Sequence, residues 1–253
     1  MGERTHRTDR KPNPRVVMYR TTSPPATMFE EDVEIDVGSN VLEGSLARAS
    51  TAAGLVIFAH GSGSSRFSTR NRRVAQRLQA AGFSTLLFDL LTKAEEHEDA
   101  FTGHLRFDIK LLADRLRRVA DWIHIQPKTR DLPIGYFGAS SGAAAALVAA
   151  ARTPESVKAV VSRGGRPDLA DEYLPQVRAA TLLIVGGADG PVIRLNELAL
   201  TQLTAEKRLE IIPGATHLFE EAGALEAVAD LASAWFAQHL SPSVSRQRKE
   251  ARP

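Results

Sequence analysis

The sequence predicts an α/β fold: one domain built on a mostly parallel sheet with helices on both faces. Three observations carry this. Short, continuous apolar runs recur along the chain, and such runs mark strands buried on both faces. Between them lie amphipathic or small-residue stretches of helical period. The strict alternation of the two is what a parallel sheet with crossover helices requires. The length of 253 residues, with 43% hydrophobic and 25% charged, suffices to bury a core and excludes a wholly disordered chain.

In chain order, Val33, Ile35 and Val37 alternate with acids, Gly38-Ser39-Asn40 makes a turn, and Val41, Leu42 and Leu46 follow. This pattern predicts a β-hairpin. GLVIFAH at 54–60 is the first fully apolar strand. FSTLLFDL (83–90), LPIGYFG (132–138), VKAVVS (157–162), TLLIVGG (181–187) and RLEIIPG (208–214) repeat the type. Residues 70–81 place Val74, Leu78 and Ala81 on one helical stripe, with Gly82 as a stop. Residues 104–125 space Leu105, Ile109, Leu112, Leu116, Val119 and Ile123 by fours and threes until Pro127 ends the run. SGAAAALVAAA (141–151), 192–203 and 221–240 complete the helices, and Trp122 and Trp235 fall on helical stripes as packing residues. Glu95, Glu96, His97, Glu98 and Asp99 read as a solvated acidic loop without ligand spacing for a metal.

The net charge of +2 is unevenly spread. Residues 1–29 carry +4 and residues 241–253 carry +3, leaving −5 on the body between them. The basic pI therefore belongs to the ends, and nucleic acid is not an expected partner. The expected organisation is a basic, disordered tail over 1–28, one domain over 29–240 and a second basic tail over 241–253, with MFEEDVEIDV from Met28 a clean alternative start. No apolar run reaches the ~18 residues of a membrane helix, and no signal-peptide pattern opens the chain. The absence of cysteine rules out disulfides, thiolate metal sites and a cysteine nucleophile. A cytoplasmic protein with no membrane partner, no metal and no cofactor is the expectation.

In parallel sheets, function collects at the C-terminal strand ends. After LPIGYF comes Gly138-Ala139-Ser140-Ser141-Gly142 and then the Ala-rich helix, a G-x-S-x-G between strand and helix. A turn that tight needs small neighbours and thrusts its central serine out above a helix N-terminus. Asp189 follows TLLIVGG and His217 follows RLEIIPG. A serine hydroxyl is a poor nucleophile. A neutral histidine can take its proton, and a carboxylate can fix the tautomer. The order Ser140, Asp189, His217, with separations of 49 and 28 residues, predicts a triad with one strand–helix unit between members. The His60-Gly61-Ser62-Gly63-Ser64-Ser65 loop after the first parallel strand is expected to supply one oxyanion N–H, from Ser62 with Gly61 as the alternative, and Ser141 the other. Arg66, Arg70 and Arg163 are candidates to hold a substrate carboxylate on the rim.

HGSGSS, GASSG, GGADG and PGATH together resemble the α/β-hydrolase superfamily, and within it the dienelactone hydrolase branch, over residues ~31–240. The resemblance implies a single eight-stranded domain whose first hairpin runs antiparallel to the rest. Dienelactone hydrolases proper use a cysteine nucleophile, where this chain has Ser140. Only about 18 residues separate the strand at 157–162 from the next, too few for the cap that lipases insert there. The expected activity is hydrolysis of a small-molecule ester, lactone or thioester through an acyl-enzyme. An acyltransferase, or a ligand receptor retaining the triad, are the alternatives.

Overall fold

The computed structural model describes residues 27–240, so the expectations for most of the first tail and for the second lie outside the described residues. The elements are β1 (Met28–Asp36), β2 (Val41–Ala49), β3 (Leu55–Ala59), α1 (Thr69–Ala80), β4 (Ser84–Phe88), α2 (Lys93–Thr102) and α3 (Ile109–Ile125). They continue with β5 (Ile134–Ala139), α4 (Ser141–Arg152), β6 (Val157–Arg163), β7 (Ala180–Gly186), α5 (Gly190–Gln202), β8 (Lys207–Ile212) and α6 (Ala224–Leu240). All eight strands form one sheet in the order β1-β2-β4-β3-β5-β6-β7-β8. The β1–β2 hairpin is antiparallel, β2 meets β4 antiparallel, and every other pairing is parallel.

The period of two along the strands divides the core into two layers. On one face Leu55, Ile57, Ile134 and Tyr136 pack with Leu116 and Val119 of α3, the alanines of α4 and Ala199 of α5. On the other, Val56, Phe58, Phe137 and Ile184 pack with Val74 and Leu78 of α1 and Phe236 of α6. Every residue of β3, β4, β5 and β7 is buried, as two-sided coverage demands. Trp235 packs in the second layer, and its Nε1–H donates to Ala180 O at 3.1 Å. No helix among the described residues is long and apolar enough to cross a membrane.

The structure corrects the sequence reading between β4 and α3. The acidic segment 95–99 is not a loop but the middle of α2. Its stability is polar. Thr92 Oγ1 accepts from the Glu95 amide, and the Glu95 carboxylate accepts from the Thr92 amide at 2.8 Å, a capping box. Gly103 closes the helix at φ 68°. Glu95 also pairs with buried Arg115, and buried Asp99 with Arg106. The following helix starts later than its periodicity predicts: Leu105–Phe107 is a 3₁₀ turn, and Asp108 caps α3 by accepting from Leu111 N–H at 3.0 Å. The 163–180 connection holds a 3₁₀ stretch, Pro167–Gln176, and no inserted domain.

Thr92→Ala removes one half of the capping box. The urea midpoint should fall by the equivalent of about 1 kcal/mol with an unchanged m value. An unchanged midpoint would mean that ion pairs alone hold α2.

Candidate active site

The turn from β5 to α4 is shaped by what cannot fit there. A Cβ on Gly138 would lie 2.8 Å from Ala143 N and closer still to Ala143 Cα; one on Gly142 would collide with the carbonyl oxygens of Ala59 and His60. Glycine at both places lets the helix start directly under the strand end. The chain reverses at Ser140, with φ 51° and ψ −122°, a conformation L-residues avoid. Neighbouring backbone holds it there. Ser140 N–H donates to Arg163 O at 3.2 Å, and Ser140 O accepts from Ala143 and Arg166 N–H, both at 3.1 Å.

The β7 and β8 ends deliver the other two residues. Asp189 occupies the N-cap position of α5 without a side-chain capping hydrogen bond, and its Oδ2 lies 2.7 Å from His217 Nδ1. With Nδ1–H donated to the carboxylate, His217 carries its acceptor nitrogen at Nε2. The His217 loop turns through Phe219, buried at φ 55°, and through Thr216, which hydrogen-bonds Glu221 and holds that carboxyl below its usual range. Ser140 and His217 line one cavity of about 240 Å³ together with Gly61, Ser62, Arg163 and Arg70.

Residues 42–240 match the Dienelactone hydrolase family. The chain belongs to that family. A dienelactone hydrolase from Anabaena variabilis is 61% identical, superimposes with a TM-score of 0.83, and is matched over 84% of this chain and 99% of its own. A dienelactone hydrolase-like promiscuous phosphotriesterase, P91, from metagenomic libraries shares the fold at TM-score 0.70 and 17% identity over 85% of this chain and 99% of its own. Two Mycobacterium tuberculosis proteins, whose names propose phosphoribosyl transferases, are 55% identical over 211 residues. Those residues are 83% of this chain, which spans about half (47%) of their length.

Within this dienelactone hydrolase family fold, the sequence-predicted residues are distributed unevenly. Ser140, Asp189 and His217 converge on one strand-end cluster. Gly61 lies against the serine, since a Cβ there would be 3.1 Å from Ser140 Cβ. Ser62 N–H is engaged: it donates to Ser141 Oγ at 3.0 Å, which ties the loop after β3 to the first residue of α4. Arg70 and Arg163 line the serine's cavity. Arg66 does not. It is ion-paired with Asp89 and Glu43, and its backbone N–H also donates to Asp89 at 2.6 Å. These contacts tie the loop after β3 to the end of β4 and to β2. No cluster of three or more His, Cys, Asp or Glu residues suited to a metal occurs among the described residues.

His60 is a residue that sequence reasoning left without a role. It is buried, its Nε2 accepts from Leu90 N–H at 3.0 Å, and its Nδ1 donates to Gly61 O at 2.9 Å. A single neutral imidazole thus fixes the peptide that follows β3 and leads into Ser62. The same loop forms one wall of a second cavity of about 510 Å³, lined further by Phe67, Leu91, Glu96 and Leu112. The missing signal was pairing rather than residue type: the partner amide lies 30 residues away.

Burial pulls His60 below the ordinary histidine value of 6.5. The folded state then favours the neutral ring, so its contribution is complete above about 6.5 and is lost as pH falls from there towards the lower folded value. The wild type should lose stability relative to His60→Gln on acidification below pH 6.5, by up to about 1.4 kcal/mol per pH unit. Parallel pH–stability curves would contradict this assignment.

Proposed function

We propose that this chain is a serine hydrolase of small carboxylic esters, lactones or thioesters. The observation that carries the reading is the convergence of a serine forced to positive φ with a histidine already bonded to an aspartate, in one small cavity. Ser140 is the nucleophile. His217 Nε2 takes the hydroxyl proton as Oγ attacks the carbonyl, and Asp189 stabilises the resulting imidazolium. The tetrahedral oxygen draws on the N–H groups of Ser141, at the start of α4, and of Ser62, which it takes over from the Ser141 hydroxyl. The proton then passes from His217 to the leaving alcohol or thiol. Water, activated by the same histidine, releases the acid.

A cavity of about 240 Å³ limits the acyl group. Each additional CH₂ could gain about 0.8 kcal/mol only if there were room to bury it. The 61% identity to a protein named as a dienelactone hydrolase supports the hydrolase reading. The phosphoribosyl transferase names describe longer proteins, of which the matched residues make up 47%, and that activity is not carried over to this chain. A cytoplasmic location and a small-molecule substrate complete the proposal.

The test is turnover of p-nitrophenyl esters. The expected kcat/KM peaks between acetyl and butyryl and falls from octanoyl upward. Ser140→Ala should lose at least ~10³-fold in kcat with an unchanged melting temperature. Undiminished turnover by Ser140→Ala, or a maximum at long chains, would overturn the reading.

A further inference from the structure

Gly61, Ser62, Ser64 and Ser68 belong to two cavities at once. One, of about 240 Å³, is lined by Ser140 and His217. The other, of about 510 Å³, is lined further by Phe67, Leu91, Leu112 and Glu96. Small-molecule sites commonly run from about 300 to 1,000 Å³. The larger cavity is of that size and the smaller is not, and the shared wall lets one ligand occupy both. A substrate placed this way has unequal arms: a short acyl group beside Ser140 and a bulkier alcohol arm in the larger cavity.

The larger cavity is apolar in its body and carries uncommitted charge of one sign. Leu91 and Leu112 are buried and Phe67 is exposed, so the alcohol arm meets aliphatic and aromatic surface. Four ionisable residues stand on the wall: His60, Glu96, Asp99 and Arg106. Three are committed. His60 uses both ring nitrogens on backbone groups. Arg106 is ion-paired with Asp99, and its Nη2 also donates to Asp99 O. Glu96 has no hydrogen-bond or ion-pair partner among the described residues. Its helix neighbours show the contrast: Glu95 is spent on Arg115 and on the Thr92 amide, and Asp99 on Arg106. The nearby cations do not answer for Glu96 either. Arg66, whose guanidinium lies 4.3 Å from the Phe67 ring centroid, pairs with Asp89 and Glu43, and Lys93 pairs with Glu43. Arg72, 5.3 Å from the same ring, does not line the cavity. Partial burial, and then the negative charge of Asp89, raise the Glu96 carboxyl above its ordinary 4.5. A ligand cation offsets both effects.

Resting on the hydrolase reading, we infer that the preferred substrate is a short-chain acyl ester of an apolar alcohol that bears an amine, with the ammonium paired to Glu96 in the larger cavity. This gives α2 a use. A helix with no apolar stripe, fixed by its capping box and two ion pairs, carries a free carboxylate to the cavity wall. Glu96 is exposed, so the pair is screened and its gain over a neutral alcohol is modest. An anionic alcohol is repelled as well, which widens the spread across the three charges.

The experiment is isothermal titration of the full chain carrying Ser140→Ala, so that binding is read without turnover. The probes are three aryl acetates of matched size: 4-(2-aminoethyl)phenyl acetate, neutral 4-ethylphenyl acetate and anionic 3-(4-acetoxyphenyl)propanoate. The amine should bind at least threefold more tightly than the neutral ester and at least tenfold more tightly than the anion. Adding Glu96→Gln, at an exposed position where the fold is indifferent, should bring the amine and the neutral ester within twofold of each other. Adding Phe67→Ala instead should weaken all three. Equal affinities across the three charges, tighter binding of the anion, an amine preference that survives Glu96→Gln, or no detectable binding would overturn the inference. Turnover of p-nitrophenyl acetate by the wild type bears only on the hydrolase reading, so the two can fail separately.

Discussion

The structure depends on one steric constraint: β5 must end and α4 begin within the span of Gly138 to Gly142, with Ser140 held at φ 51° between them. A non-glycine residue in that region costs on the order of 1–3 kcal/mol. The surroundings over-determine it. The serine's amide is tied to β6, its carbonyl accepts two amides, and a side chain at either glycine would collide with neighbouring backbone. From this follows the site. The ends of β6, β7 and β8 bring Arg163, Asp189 and His217 to the same end of the sheet, where Ser140, Arg163 and His217 line one cavity. The run of small residues from Ala143 to Ala146, all fully buried, lets the helix sit close enough for this to happen.

Around that turn the protein spends its charges locally. Arg66 ties the loop after β3 to β4 and β2, Arg115 and Arg106 secure α2, and Arg73 and Arg77 bridge α1 to Glu226 and Asp230 of α6. The exposed bridges contribute little individually. The buried ones fix the position of loops that border the cavities. Against this pattern Arg163 stands apart: its Nε and Nη1 are buried without a hydrogen-bond partner.

Much of the site was legible in the sequence because its signals are local. A glycine–serine turn between an apolar run and an alanine-rich helix has few physical solutions, and acidic and histidine residues at two later strand ends need no long-range information to be noticed. Strands β3 to β7 were legible for the same reason, because two-sided burial writes itself as nearly uninterrupted apolar runs, whereas the β1–β2 hairpin was legible from its alternation and its turn. Helix α2 was not, because KAEEHEDAFT has no apolar stripe; a capping box and ion pairs to residues 7 to 20 positions away hold it. The ion pairs of Arg66 were not legible because a long side chain in the loop after β3 can turn either way, and its acceptors, Asp89 and Glu43, lie more than twenty residues off. His60 stood in plain sight in the HGSGSS motif, yet its role depends on the amide of Leu90 in the next strand's loop.

The central claim is that the strained turn presents Ser140 as a nucleophile activated by His217. Reaction of the full chain with a fluorophosphonate, followed by peptide mass spectrometry, tests it without presuming any substrate. The account predicts a single adduct on Ser140, absent from Ser140→Ala and formed far more slowly in His217→Ala. An adduct on Ser141, or a folded wild-type protein that stays unlabelled, would contradict it.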